Sequence, residues 1–368
     1  MATSNMASVA DSVRESPDGS KRILVTGGFG FLGGHVISRL LADPEVSVHV
    51  VDNLTTNPVT LDTLLSEIGG SERLTFDVCS IADYFAGTPA EFDAIVHLAS
   101  PVGPAGVLRH GGRIVSMVVG DAYTLADYAE DRGARLVDLS TSEVYGGGRD
   151  GLCDEGDAKI VPAETTFRLE YAVAKLAAET ALINLHARDG LDVVIVRPFN
   201  VAGPRQSGEG GFVLPRFLAQ AVLGLPLSIF GTGEARRAFT HVYDIADGIL
   251  LALYRGKPGV AYNIGNHRNI VTVDELADTV LEVTCSISEK EYIDPVQVYG
   301  SHFTEANDKF PAAGRAIHEL EWNPMRDVTE IVADAHEYLT KVPSADFARL
   351  AGAKVIEQLV QARQAIPR

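Results

Sequence analysis

The chain has 368 residues, 46% hydrophobic and 22% charged, and a formal net charge of −18. That length buries a large core, as one big domain or two intimate ones, and no apolar run reaches the ~18 residues of a membrane span. The negative charge argues against nonspecific binding to nucleic acid or an anionic membrane, but leaves room for an anionic ligand held by a local arginine cluster.

Residues 1–20 are rich in Ser, Ala, Asp and Glu, lack the apolar core of a secretory signal, and read as a disordered tail. Ile23-Leu24-Val25 reads as a buried strand, and His35 to Leu41 has the apolar spacing of a helix. Between them, Thr26-Gly27-Gly28-Phe29-Gly30-Phe31-Leu32-Gly33 sets glycines at 27, 30 and 33. Such a turn lets backbone approach a pyrophosphate, and the helix start offers it free N–H groups and a positive dipole end. Plain strand-turn-helix packing uses glycine too. The dinucleotide reading gains from Val48-His49-Val50-Val51, a second apolar run that ends in Asp52. A carboxylate about 20 residues beyond the glycines accepts from ribose hydroxyls. It would repel the extra phosphate of NADP, so the expected cofactor is NAD.

Further strands are expected at 73–76, ending at Asp77, and at 94–98, 135–139 and 191–197, with helices over much of 112–131 and from about 170 to 186. This alternation predicts an α/β fold, a Rossmann-type doubly wound parallel sheet with ligands at the carboxyl ends of its strands. After Pro198 shorter elements follow: helices at 214–223, 272–284, 327–339 and 345–363, and a strand at 227–230. The expected organisation is a tail over 1–20, an NAD-binding domain over 21–198, a smaller substrate-binding lobe over 199–340 with strands returning to the sheet, and a helical extension over 341–368. Cys79, Cys153 and Cys285 form no metal or redox motif, which suggests reduced thiols in a cytoplasmic protein. His97 and His241 have no ligand-spaced companions, so no metal site is expected.

Tyr171 and Lys175 lie four apart near the start of a helix, so they share one face. An ammonium beside a phenol favours the phenolate, which makes Tyr171 a candidate general base. The spacing alone also occurs in surface pairs. Here it follows a dinucleotide-binding half and the segment Ser140-Thr141-Ser142-Glu143-Val144-Tyr145-Gly146.

Taken in order, these motifs resemble the extended short-chain dehydrogenase/reductase family, in its nucleotide-sugar epimerase, dehydratase and decarboxylase branch. The resemblance runs from about Arg22 to Leu339 and includes His97-Leu98-Ala99-Ser100, Arg197-Pro198-Phe199-Asn200, Gly203-Pro204-Arg205, Arg237-Ala238-Phe239 and Tyr262 to Asn266. It implies that Gly27, Gly30 and Gly33 hold the NAD pyrophosphate, Asp52 the adenosine ribose, and Asp77 with Val78 the adenine. Phe31, Leu32, Asn53, Leu98, Ala99, Ser100 and Pro198 would line the same cofactor. Thr141 would bond the sugar hydroxyl being oxidised, Tyr171 would take its proton, and Lys175 would hold the nicotinamide ribose. Asn200, Arg205 and Arg237 would contact a nucleotide-sugar diphosphate.

Within the branch, Ser142-Glu143 and Arg168 resemble the UDP-glucuronate decarboxylases, since 4,6-dehydratases usually carry an Asp where Ser142 stands. The implied reaction is decarboxylation of a UDP-hexuronate through a transient 4-keto sugar, with Glu143 as acid/base near C5 and Ser142 as its polar neighbour. A 4-epimerase, a 4,6- or 5,6-dehydratase acting on an unusual nucleotide or nucleoside sugar, and a non-catalytic NAD-binding protein are the alternatives. Met117 stands where an Asn is usual, 105–113 is unusually basic and glycine-rich, and Pro215 or Arg216 replaces a decarboxylase asparagine. The likeness also implies a homodimer, through helices near 112–131 and 170–186.

Overall fold

The computed structural model describes residues 21–69, 72–146, 151–163, 165–299, 308–352 and 357. The expected tail, 1–20, lies outside them, as does most of the last expected helix. In chain order the first half is β1 (Lys21–Thr26), α1 (Gly33–Leu40), β2 (Val46–Asp52), α2 (Leu61–Ile68), β3 (Leu74–Val78), α3 (Ile81–Ala86), β4 (Ala94–His97), α4 (Gly103–His110), α5 (Ile114–Arg132), β5 (Arg135–Leu139), α6 (Phe167–Asp189) and β6 (Val193–Pro198). The second half is β7 (Val201–Ala202), α7 (Val213–Val222), β8 (Leu227–Phe230), β9 (Arg236–Ala238), β10 (Thr240–His241), α8 (Val242–Arg255), β11 (Val260–Ile264), β12 (Ile270–Thr272), α9 (Val273–Thr284), β13 (Lys290–Ile293), α10 (Val296–Tyr299), α11 (Gly314–Glu319), α12 (Val328–Lys341) and α13 (Ser344–Ala351).

Seven strands form the main sheet in the order β3-β2-β1-β4-β5-β6-β11. All its pairs are parallel, including β11 on β6, so a strand from the second half completes the sheet. Parallel strands covered on both faces need apolar side chains on both. Ile23, Val25, Val50, Val96 and Val137 enter one core, while Leu24, Val51, Ile95, Leu136 and Ile195 enter the other. The remaining strands pair two by two: β7 with β10, β9 with β12 and β8 with β13.

Two local features bear on the surroundings of the sheet edge. The glycine-rich stretch after Pro101 forms the helix α4, with Pro104 in its first turn, where a missing N–H costs nothing. The last helix is described as α13 over Ser344–Ala351. Its Asp346 accepts from the Thr60 backbone N–H at 2.7 Å and the Thr63 hydroxyl at 2.6 Å, tying the C-terminal region to α2.

Candidate active site

Parallel register brings one end of every strand to a common edge. That edge carries the glycine turn after β1, Asp52 ending β2, Asp77 and Val78 ending β3, His97 to Ser100 after β4, Thr141 after β5 and Pro198 ending β6.

The turn is shaped by steric need. Gly27 sits at φ +67°, and a Cβ there would lie 2.7 Å from the Ala99 backbone. A Cβ on Gly33 would run into the carbonyl oxygens of Gly27 and Gly28. Asp52 ties the turn to β2, accepting from the Phe29 N–H at 2.9 Å and the Leu54 N–H at 2.8 Å. Burial raises its pKa. Phe31 packs edge-on to His35 and Asn53 accepts from the Thr55 N–H at 3.0 Å. Asp77 pairs with His49 at 3.1 Å and stays half exposed, beside the exposed Val78. This cradle, a glycine turn closed against Ala99 with a carboxylate at the next strand end, fits a dinucleotide: Gly27, Gly30 and Gly33 would face the pyrophosphate and Asp52 a ribose.

Thr166 caps α6 by accepting from the Leu169 N–H at 3.1 Å. Arg168, Tyr171 and Lys175 then fall three and four apart on its first turns, along one stripe. The Thr141 and Ser100 hydroxyls neighbour the Tyr171 phenol and favour its ionised form. Lys175 donates to the Leu139 carbonyl at 2.7 Å. Burial pushes the Tyr171 phenol well up, the Thr141 and Ser100 hydroxyls oppose it, and the charges of Glu143 and Asp138 add to it. The phenol is therefore protonated at neutral pH in this arrangement, whereas the sequence reading expected the Lys175 ammonium to favour the phenolate. Burial lowers the Lys175 pKa, against the opposing pull of Asp138 and Asp121.

Ser142 and Glu143 lie on a single 3-10 turn, Ser142–Tyr145, whose first N–H groups include one bonded to Thr141 Oγ1 at 3.2 Å. Arg168 grips Glu143 with Nε on Oε2 at 3.0 Å and Nη2 on Oε1 at 3.2 Å. Lys309 reaches the same carboxylate at 3.4 Å. Burial alone would raise the Glu143 pKa; the two cations outweigh it and hold the carboxyl down to about 2. Lys309, nearly fully buried, is itself pushed down by burial. Sequence reasoning missed it, because no spacing links position 309 to 143. Tertiary contacts bring it in: Cys153 N–H donates to the Phe310 carbonyl at 2.7 Å, and Asn263 Nδ2 donates to the Cys153 carbonyl at 2.9 Å.

Arg237 is buried against Asp308, Nη1 to Oδ1 at 3.3 Å, and its charge reaches Lys309. Asn200, at φ +34°, donates to the Ala238 carbonyl at 3.4 Å. Arg205 goes elsewhere. Its guanidinium meets Glu67 of α2 at 2.9 Å and leans on Gly34 of α1, so its partners are not those of the Glu143 cluster. Arg216 on α7 is buried with its guanidinium 3.9 Å over the Phe230 ring. Behind the site Glu179 bonds Arg197 (Nε to Oε2, 2.9 Å) and the Ser140 hydroxyl (3.0 Å), and Arg197 donates to the Tyr145 hydroxyl at 2.8 Å. That network pins the turn bearing Glu143. Among the described residues no cluster could hold a metal ion, the three cysteines are free, and no helix is long and apolar enough to cross a membrane.

A dinucleotide cradle at the carboxyl edge, with a Thr, Tyr and Lys set beside it, defines a nicotinamide-dependent enzyme of the extended short-chain dehydrogenase/reductase type. The chain belongs to the NAD dependent epimerase/dehydratase family, whose model matches residues 23–265. It is 31% identical to UDP-glucuronic acid decarboxylase 5 of Arabidopsis thaliana over 82% of this chain and 84% of that one. It is 29% identical to dTDP-D-glucose 4,6-dehydratase of Mus musculus, covering 87% and 89% of the two chains. The crystal structure of DesIV, a dTDP-glucose 4,6-dehydratase from Streptomyces venezuelae with NAD and TYD bound, superposes with a TM-score of 0.74 at 28% identity, covering 87% of this chain and 97% of that one. The family makes this an NAD-dependent enzyme of the group that epimerises, dehydrates or decarboxylates nucleotide sugars.

Proposed function

We propose that the chain decarboxylates a nucleotide-linked hexuronate, UDP-glucuronate in the first instance, to the corresponding pentose. The observation that carries this is Glu143, held ionised between Arg168 and Lys309. Two cations against one carboxylate leave a net positive charge, which attracts a second carboxylate. Glu143 competes for the same cations, so a C6 carboxylate entering there is drawn in without being fully neutralised. That favours release of its charge as carbon dioxide leaves.

NAD, which Gly27, Gly30, Gly33 and Asp52 would hold, would supply a reversible hydride acceptor for C4 and a cationic ring that favours the phenolate. Tyr171 takes the C4 hydroxyl proton, the neighbouring Thr141 and Ser100 hydroxyls favouring its ionised form. With C4 a ketone, the C5–C6 bond electrons pass into an enolate as carbon dioxide departs. The enolate oxygen meets the Thr141 and Tyr171 hydroxyls, in the manner of an oxyanion site. C5 then needs a proton. The sequence suggested Glu143, but a carboxyl with a pKa of about 2 is a poor donor at neutral pH. The buried Lys309 ammonium, made more acidic by burial, is the donor we favour. Ketone reduction, return of the Tyr171 proton to C4–O and uptake of one solvent proton by Lys309 complete the cycle.

Loss of water lacks the carboxylic acid that a dehydratase sets beside the leaving hydroxyl, since Ser142 stands at that position and Glu143 is ionised. Mass spectrometry after incubation with UDP-glucuronate and NAD tests the reading. A product lighter by one carbon dioxide supports it. An isomer of unchanged mass would replace it with 4-epimerisation, and no product would shift the search to other nucleotide sugars.

A further inference from the structure

The sheet carries a polar layer that the chemistry above leaves unused. Register sets Thr26, His97 and Asp138 side by side on β1, β4 and β5. They share the face that Leu24, Ile95 and Leu136 line with apolar side chains. Thr26 Oγ1 is 2.7 Å from His97 Nδ1, and His97 Nε2 is 3.9 Å from Asp138 Oδ1, too far for a hydrogen bond. Asp138 is 2% exposed, and its Oδ2 has no hydrogen-bond partner among the described residues. Such a carboxylate needs a counter-charge. His97 does not provide one, because burial and the Lys175 charge hold it neutral, with its pKa at about 3. The cation is Lys175, gripped by the carbonyl of Leu139, the residue next to Asp138.

We propose that Asp138 is a positioning residue that keeps Lys175 an ammonium and holds it at the Leu139 carbonyl, ready for the Tyr171 phenolate. The inference rests on Tyr171 and Lys175 being the catalytic pair. Lys175 is drawn electrostatically to Asp138 and to Asp121 on α5. Burial pushes each carboxyl up to about 6, and Lys175 pulls each down. The charged and titratable groups facing Asp138 are His97 from β4 and Lys175, Glu179 and Tyr171 from α6. Removing the Asp138 charge therefore moves both members of the pair. Lys175 loses a stabilising anion, so its pKa falls. Tyr171 loses an opposing one, so its pKa falls as well.

The direct test is the titration of Lys175 in NAD-loaded, 15N-lysine-labelled protein by NMR, with K175M assigning the resonance. In D138N the Lys175 midpoint is expected to fall by about one pH unit or more. In D121N it falls less. An unmoved Lys175 midpoint in folded D138N overturns the proposal. If D138N does not fold, D138S, smaller and uncharged at the same position, decides it by the same reading. Where turnover is measurable, D138N should shift both limbs of the pH profile of kcat/KM to lower pH. A uniform loss at every pH would mean a structural role only and would also overturn it. Full activity in K175M would sink the catalytic reading instead, and the NMR midpoint would still judge the counter-charge.

Discussion

Arg168 closes on Glu143 through a two-pronged ion pair, Nε to Oε2 at 3.0 Å and Nη2 to Oε1 at 3.2 Å. The helix that presents Arg168 also presents Tyr171 one turn later, so the grip on Glu143 and the phenol share one rigid support. The planar fork is what makes the pair bidentate, and lysine cannot copy it. R168K should therefore lose kcat/KM by about tenfold or more, and R168M by roughly a hundredfold, the range of a partly buried charge-assisted pair. Steady-state kinetics on the substrate that the wild type turns over gives the comparison.

Lys309 should matter after C4 oxidation and not before it. In K309M the first hydride transfer proceeds while protonation at C5 is slowed. The reduced cofactor should then accumulate during turnover, and its absorbance in a stopped-flow trace reads this. A lower rate with no build-up of reduced cofactor would confine Lys309 to substrate binding.

The glycine turn tolerates no side chain at position 33, where a Cβ would meet two carbonyl oxygens. G33A should weaken NAD binding by at least tenfold and lower stability by about 1–3 kcal/mol. Calorimetric titration and thermal unfolding measure the two effects. Gly120 meets nothing within 4 Å at the position of a Cβ, so G120A is the matched control.

Acid sensitivity should begin well above the usual carboxylate range. Burial holds His97 and His241 neutral, with pKa values pushed down to about 3. In the unfolded chain they take up protons near pH 6.5. Below that pH the unfolded state binds more protons, so stability falls as pH falls from 6.5 towards 3. Each histidine then costs about 2 kcal/mol by pH 5. Asp121 and Asp138, with raised pKa values of about 6, act in the opposite sense. The informative quantity is thus a difference: the urea midpoint of H241N should fall less between pH 7 and pH 5 than that of the wild type.

The Glu179–Arg197 pair is buried on both sides, with side chains 3% and 4% exposed. Breaking one side leaves an uncompensated charge. E179Q should cost about 3–5 kcal/mol, and the E179Q/R197M double variant should recover part of that loss. A double-mutant cycle by urea denaturation reads the coupling. Because Arg197 also donates to Tyr145, E179Q should in addition loosen the turn that bears Glu143.

The sequence by itself determined the alternation of strands and helices, the glycine turn of the dinucleotide cradle and the placing of Tyr171 and Lys175 on one helix face. These signals are local. Glycine spacing, apolar periodicity and an i, i+4 pair on a helix each act within a few residues, so they can be read in one dimension. Glu143 and Arg168 were legible too, because a family resemblance supplied them. Only the tertiary structure decided that Glu143 stays a carboxylate. The cation that completes its clamp, Lys309, comes from 166 residues further on and is delivered by backbone bonds between Cys153 and Phe310. The destination of Arg205, bound to Glu67, was likewise beyond any spacing rule. Asp138 left a trace in sequence, a charge inside the apolar run Leu136-Val137-Asp138-Leu139. Its partner could not be named there, because strand register and helix packing, not sequence separation, set which buried charges meet and which protonation states survive.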